Sequence, residues 1–270
     1  MRQNILKLIS FRVSGQFAHF RKFYTNASSL SYLIPPRTVI MGMLASVLRY
    51  ERDSYYEAFH PEKFRISTAV TPGVQIKKKI QSMNYLQFKY HNLLCRGTGE
   101  GKNMHAQCKL ELLVPESKTI DYTIYVGVVA EDSRNVLDEL EARIRQRDFG
   151  YGVYLGQRQF RANIDHIRSY PKEVIRFAED VKYTDTICLQ ENGELDMTDD
   201  NNLDTHMVVD QMPVHMEKEN PEEKEKAKGN PGRVIHTVKR VLHEKCGKRI
   251  FGKFKNGYQI KDKIITFYEG

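Results

Sequence analysis

Two segments of this chain repeat their apolar residues at helical spacing, while the stretches around them are extended. That order constrains the fold more than any other feature of the sequence. In residues 36–50, Val39, Ile40, Met43, Leu44, Val47 and Leu48 form one stripe, as in a helix with one buried face. Pro36 suits the first turn, where its missing N–H would have had no partner. Gly42 costs about 1 kcal/mol relative to alanine inside a helix, which predicts a close packing contact there. The second segment, 133–147, carries Val136, Leu137, Leu140 and Ile144 on one face, with Asp132 placed as its N-cap.

Residues 4–13 alternate as a first strand, 64–80 read as extended and end in the run Lys77-Lys78-Lys79, and 122–129 alternate cleanly. Segments 83–90 and 106–114 are the arms of a long polar hairpin with a glycine-rich tip at 96–102. The series β-α-β, hairpin, β-α-β predicts an α+β fold: a ferredoxin-like (RRM-like) domain over 1–165, closed by segment 149–156. Residues 166–270 read as a small β-rich region. Short strands are expected at 186–190, 207–214 and 263–267, hairpin turns at Asn192-Gly193 and Asn256-Gly257, and a solvated loop at 217–232.

The net charge of +8 is segregated along the chain. Residues 1–110 hold 17 Lys and Arg against 5 Asp and Glu, residues 111–232 hold 15 against 26, and residues 233–270 hold 10 against 3. Basic ends around an acidic middle point to a polyanion-binding face and a separate acidic face. The four cysteines, Cys95, Cys108, Cys188 and Cys246, show no C-x-x-C spacing, which speaks for reduced thiols and against a structural zinc. No apolar run reaches the ~20 residues of a membrane span, and the charged N-terminal segment does not read as a signal peptide. A cytoplasmic protein is expected.

The run 17–24 sets four aromatics among His19, Arg21 and Lys22. Single-stranded RNA uses such a set, with rings stacking on bases and cations on phosphates. His19, Phe20, Arg21, Lys22 and Tyr24 are therefore the first candidates for RNA contact. In a second reading Phe17, Phe20 and Phe23 alternate into the core while the charges face water. Arg37, at the helix start, and Lys77, Lys78 and Lys79 are further candidates, although the lysine run equally suits a solvated strand end. The hairpin adds Tyr85, Lys89, Arg96 and Lys102; its tip lacks the G-x-x-x-x-G-K-[ST] spacing of a phosphate loop. In Gly150-Tyr-Gly-Val-Tyr-Leu-Gly-Gln-Arg158, glycines permit close approach of backbone amides beside Tyr151, Tyr154 and Arg158. No catalytic constellation, metal site or cofactor site is read from the sequence.

The run Phe17-Ala-His-Phe-Arg-Lys-Phe-Tyr-Thr-Asn26, then Pro35-Pro-Arg-Thr38 and Gly42, resembles the N-terminal signature of the CRISPR-associated Cas five family. This is a RAMP-superfamily subunit of the type I surveillance complex Cascade. Glu51-Arg-Asp-Ser-Tyr-Tyr56 and Tyr154-Leu-Gly156 with Phe160 resemble two further family segments, in particular its type I-B branch. The resemblance covers roughly 5–165 and continues loosely in Gly247-Lys-Arg-Ile-Phe-Gly-Lys-Phe-Lys-Asn256. It implies a protruding hairpin, the thumb, matched by 83–114, and binding to the repeat-derived 5′ handle of the crRNA. The implied partners are the Cascade backbone subunit and large subunit, with target DNA met only through the complex. Some family members cut precursor crRNA without metal through Tyr, Lys and His, for which His19, Tyr24, His91 and His105 are available here. The type I-B branch leaves cutting to a dedicated subunit, so the expectation is a binding role without catalysis. A metal-independent endoribonuclease is the alternative, and a protein-docking assembly factor the third.

Overall fold

The structure, a computed structural model, describes residues 4–25, 29–86, 105–116, 118–218 and 232–270. Strand β1 (Lys7–Gly15) leads through the short pair β2 (Phe20–Arg21) and β3 (Ser31–Tyr32) to helix α1 (Arg37–Val47). Next come β4 (Phe64–Val70), the hairpin arms β5 (Ile76–Leu86) and β6 (His105–Pro115), β7 (Ile120–Val128), helix α2 (Arg134–Gln146) and β8 (Ala162–Pro171). The remainder is β9 (Ile175–Thr184), β10 (Cys188–Leu189), β11 (Gly193–Leu195), β12 (Met207–Lys218), β13 (Arg233–Glu244), β14 (Ile250–Ile260) and β15 (Lys263–Ile265).

The central sheet runs β4-β7-β1-β8 with every neighbouring pair antiparallel. Because strand side chains alternate between faces, β1 and β7 each serve two cores. Ile9, Phe11 and Val13 of β1 and Tyr122, Ile124 and Val126 of β7 join Ile40, Leu44 and Val47 of α1 and Leu137, Leu140 and Ile144 of α2. On the other face, Leu8 and Tyr125 pack with Tyr258, Ile260, Ile265 and Phe267. Helices thus cover one side of the sheet and C-terminal strands the other. Ile187, Leu189, Met212, Val214, Val241 and Tyr268 also enter the helix-side core, so the last third is built into the first. The boundary expected at 165/166 falls inside β8.

Several expectations are corrected. Asn256-Gly257 is no turn but lies within β14, where a Cβ on Gly257 would stand 2.7 Å from Ile264 Cγ2. Asn192 ends a 3₁₀ turn and Gly193 opens β11, which pairs with β14 rather than closing a hairpin. The N-cap position of α2 is Ser133, whose hydroxyl donates to Asp132 (2.9 Å), and no side chain caps the helix. Lys77–Lys79 sit inside β5, paired with β6, not at a strand end. Glu217 and Lys218 complete β12, and the rest of the expected loop, up to residue 231, lies outside the described residues. At Gly42 a Cβ would stand 3.2 Å from the Tyr55 hydroxyl, the tight contact that the helical glycine predicts.

Candidate nucleic-acid interface

Helix α1 stops where Arg49 turns to φ 64°, and the chain leaving it carries Tyr50, Arg52, Tyr55 and Tyr56. Facing them across a groove of about 600 Å³ are Tyr151 and Tyr154, with Arg233 from β13 and Met216 from β12. The Tyr55 and Tyr56 rings are 4.8 Å apart, and Tyr151 and Tyr154 are 58% and 42% exposed. Tyr56 donates to the Asp53 carboxylate (2.6 Å), which also holds Arg233 at 2.7 Å. Burial opposes ionisation of Tyr55 and Tyr56 and pushes both hydroxyls up. Burial works against the Asp53 charge too, yet Tyr56 and Arg233 outweigh it and hold the carboxyl below its ordinary value. The groove therefore offers protonated phenols, aromatic faces and guanidinium charge together. Those are the groups that stack on unpaired bases and pair with phosphate.

Gly150 and Gly156 of the facing loop serve packing, whereas a Cβ on Gly152 would meet nothing within 4 Å. A Cβ on Gly150 would meet Arg49 Cγ at 2.1 Å, and one on Gly156, at φ +87°, would stand 1.9 Å from the His19 carbonyl oxygen. The Gly150 amide donates to the Val47 carbonyl (3.3 Å), one that a helix end tends to leave unpaired, and the Tyr151 amide to that of Ser46 (3.1 Å), which also accepts from Arg49 (3.4 Å). The amides of Gly150 and Tyr151 are thereby taken up by the end of α1 and are not free to approach phosphate.

The cationic-aromatic run is divided between core and surface. Phe20 is buried in the helix-side core, edge-on to Tyr122 at 5.9 Å. His19 is buried as well; Nδ1 donates to the Glu111 carbonyl (2.9 Å) and Nε2 accepts from Ser29 (3.2 Å). Burial, chiefly, holds its imidazole below the ordinary histidine value. Lys22 pairs with the buried Asp210. Phe20, His19 and Lys22 are therefore structural here. Arg21, which also donates to the Thr25 carbonyl (3.0 Å), and Tyr24, 48% exposed, remain on the surface.

Arg37 is the clearest correction, at 0% exposure. It pairs with Glu269 and donates to the Phe59 and Val214 carbonyls (2.8 and 3.2 Å), leaving nothing for RNA. Lys78 folds back onto the Ser31 carbonyl (2.6 Å) and Glu111, Lys77 reaches Glu116 (2.6 Å), and Lys79 is exposed. Arg158 is exposed. Lys89, Arg96 and Lys102 lie outside the described residues, as does the side chain of Tyr85. Sequence reasoning missed Tyr50, Arg52, Tyr55, Tyr56 and Arg233. The adjacent Tyr55-Tyr56 beside Arg52 was a usable signal, whereas nothing in the sequence joins Arg233 to them.

The chain is similar to a CRISPR protein from Archaeoglobus fulgidus, known from its crystal structure, at 10% identity, TM-score 0.53, and 96% and 97% coverage of the two chains. At that identity the likeness is one of fold. It is also similar to a chain of a CRISPR RNA-guided surveillance complex, at 11% identity, TM-score 0.47, and 92% and 91% coverage. No curated protein sequence matches the chain. The family model described as CRISPR-associated protein (Cas_Cas5) matches residues 8–228, and the chain belongs to that family.

Proposed function

We propose that this chain is the crRNA-binding subunit of a CRISPR effector complex, a type I Cascade of the I-B kind, acting in cytoplasmic antiviral defence. It grips the repeat-derived 5′ handle and caps the foot of the assembly, beside the backbone and large subunits. Target DNA is met through the complex. The sheet order β4-β7-β1-β8 with its two crossover helices is read as ferredoxin-like, and the β5–β6 hairpin as the thumb. Beyond family membership, the groove carries the reading: five tyrosines and two arginines line one concave surface. No catalytic role is assigned. His19 has both ring nitrogens engaged, which disfavours it as the acid or base of a metal-independent nuclease.

The test is a titration of the tag-free chain with labelled handle RNA, a scrambled RNA and the DNA of the handle sequence. Tyr154→Ala should weaken handle binding by about 1–3 kcal/mol, the loss of one base stack. Arg233→Ala should weaken it with a shallower salt dependence. Wild-type affinity in both variants sinks the groove as the interface, and equal affinity for scrambled RNA sinks handle recognition. Cleavage of repeat RNA in chelator would promote the endoribonuclease.

A further inference from the structure

Away from the groove, the start of β12 and the turn after β13 bring three different metal-ligating side chains together. Donor atoms of His206, Glu244 and Cys246 all lie within 4.8 Å of one another. In a tetrahedral zinc site, with metal–ligand lengths of about 2.0–2.3 Å, donors stand about 3.3–3.8 Å apart. Closure by about 1 Å would complete the shell, and His206, exposed at the rim, has the freedom to supply it.

The backbone around these residues is already fixed. Glu244 is buried, at 4% exposure, and accepts from the amides of His206 (3.0 Å), Cys246 (2.6 Å) and Lys248 (2.8 Å). An ionised carboxylate offers about four acceptor sites, so these three bonds orient it and leave one site over. Such outer bonds are what a ligating carboxylate needs. The carbonyl of His206 accepts from Lys245 (2.9 Å), and that of Cys246 from Gly73 (3.3 Å). Gly247, at φ +75°, packs so closely on residues 70–72 that a Cβ would stand 2.3 Å from the Val70 carbonyl oxygen. Two lysines flank the thiol along the chain, Lys245 between Glu244 and Cys246 and Lys248 just after, and Lys248 is drawn off to the Asp204 carbonyl (2.8 Å). The plain alternative is that Glu244 only ties the turn; that role requires neither a thiol nor an imidazole beside it.

We propose that His206, Glu244 and Cys246 bind a divalent transition metal, zinc by the mixture of sulfur, nitrogen and oxygen donors, with water as fourth ligand. The metal would pin the β12–β13 ribbon to the loop between β4 and β5. Absence of C-x-x-C spacing could not foretell this, because only the antiparallel pairing of Met207 with Glu244 brings His206 beside residues 244–246.

The test is Co²⁺ titration of the reduced, tag-free full chain. A thiolate-to-cobalt charge-transfer band should grow to one equivalent and vanish on adding Zn²⁺. Cys246→Ser should abolish the band, and His206→Ala should weaken Zn²⁺ binding at least about tenfold, each with an unchanged circular dichroism spectrum. In the unmutated protein Zn²⁺ should shield Cys246 from alkylation, read by mass spectrometry, a readout independent of how any variant folds. No band, a band surviving Cys246→Ser, or unshielded Cys246 overturns the proposal.

Discussion

Arg37 shows how far a single side chain can depart from its reading in sequence. Beside a Pro-Pro helix start it resembles a free cation, but its ion-pair partner, Glu269, is 232 positions away and no local pattern announces it. Removing one member of a buried pair leaves the other charge without compensation, so Glu269→Ala should cost about 3–5 kcal/mol. Urea unfolding measures this, and a loss below about 1 kcal/mol would mean that water reaches the site. The neighbours Arg21 and Lys22 should likewise separate. Arg21→Ala should reduce the salt slope of RNA binding by about 0.7, the value for one single-strand phosphate contact. Lys22→Ala should leave that slope unchanged and lower stability, because Asp210 loses its nearest cation and keeps only His243 at 3.9 Å. Equal slopes for the two variants would return Lys22 to the interface.

Elements with their own periodicity were legible. Helix α1 was read at 36–50 and lies at Arg37–Val47; α2 was read at 133–147 and lies at Arg134–Gln146. Strands β1 and β7 were legible too, as extended runs of apolar residues that the structure buries on both faces. β8 shows the opposite case. Its burial pattern, largely exposed and half-buried, carries little apolar alternation, and it is a strand because its neighbour supplies the ladder. Asn256-Gly257 was misread because glycine answers two different needs, a turn or the close approach of another strand. The loop after α2 allows a test at this scale. Gly156→Ala adds a methyl group where φ is positive and the His19 carbonyl oxygen is 1.9 Å from the new Cβ. Stability should fall by more than about 1 kcal/mol, and RNA binding through Tyr154 should weaken with it. A variant as stable as its parent would show that the loop can move off residue 19.

In the whole molecule, acid should act in two stages. Burial holds His19 and His215 below the ordinary histidine value, so the unfolded chain takes up protons first. Their contribution to stability is complete above about pH 6.5 and is lost as pH falls through the lower folded values. Asp210, Asp53 and Glu141 are held low by partners that outweigh burial, and Asp165 by Arg12. Their contribution is complete above about pH 4 and disappears below it. Melting temperature should therefore decline between about pH 6.5 and 5 and again below about 4, and a flat profile from 7.5 to 5 would contradict the first stage. The two-sided burial of the central sheet also bears on recognition. RNA-recognition modules stack bases on the open face of their sheet, but here Tyr258, Ile260, Ile265 and Phe267 pack against that side. Part of that face is therefore taken by the protein's own core, leaving beside it a smaller cleft lined by Arg12, Arg168 and Lys261. The union of Arg37 with Glu269 has a consequence in time. At about 5–20 residues per second of synthesis, roughly 12–46 seconds separate the appearance of the arginine from that of its carboxylate. Throughout that interval the chain holds a cation that its core cannot yet enclose, so closure of the helix-side core must wait for the far end of the fold to leave the ribosome.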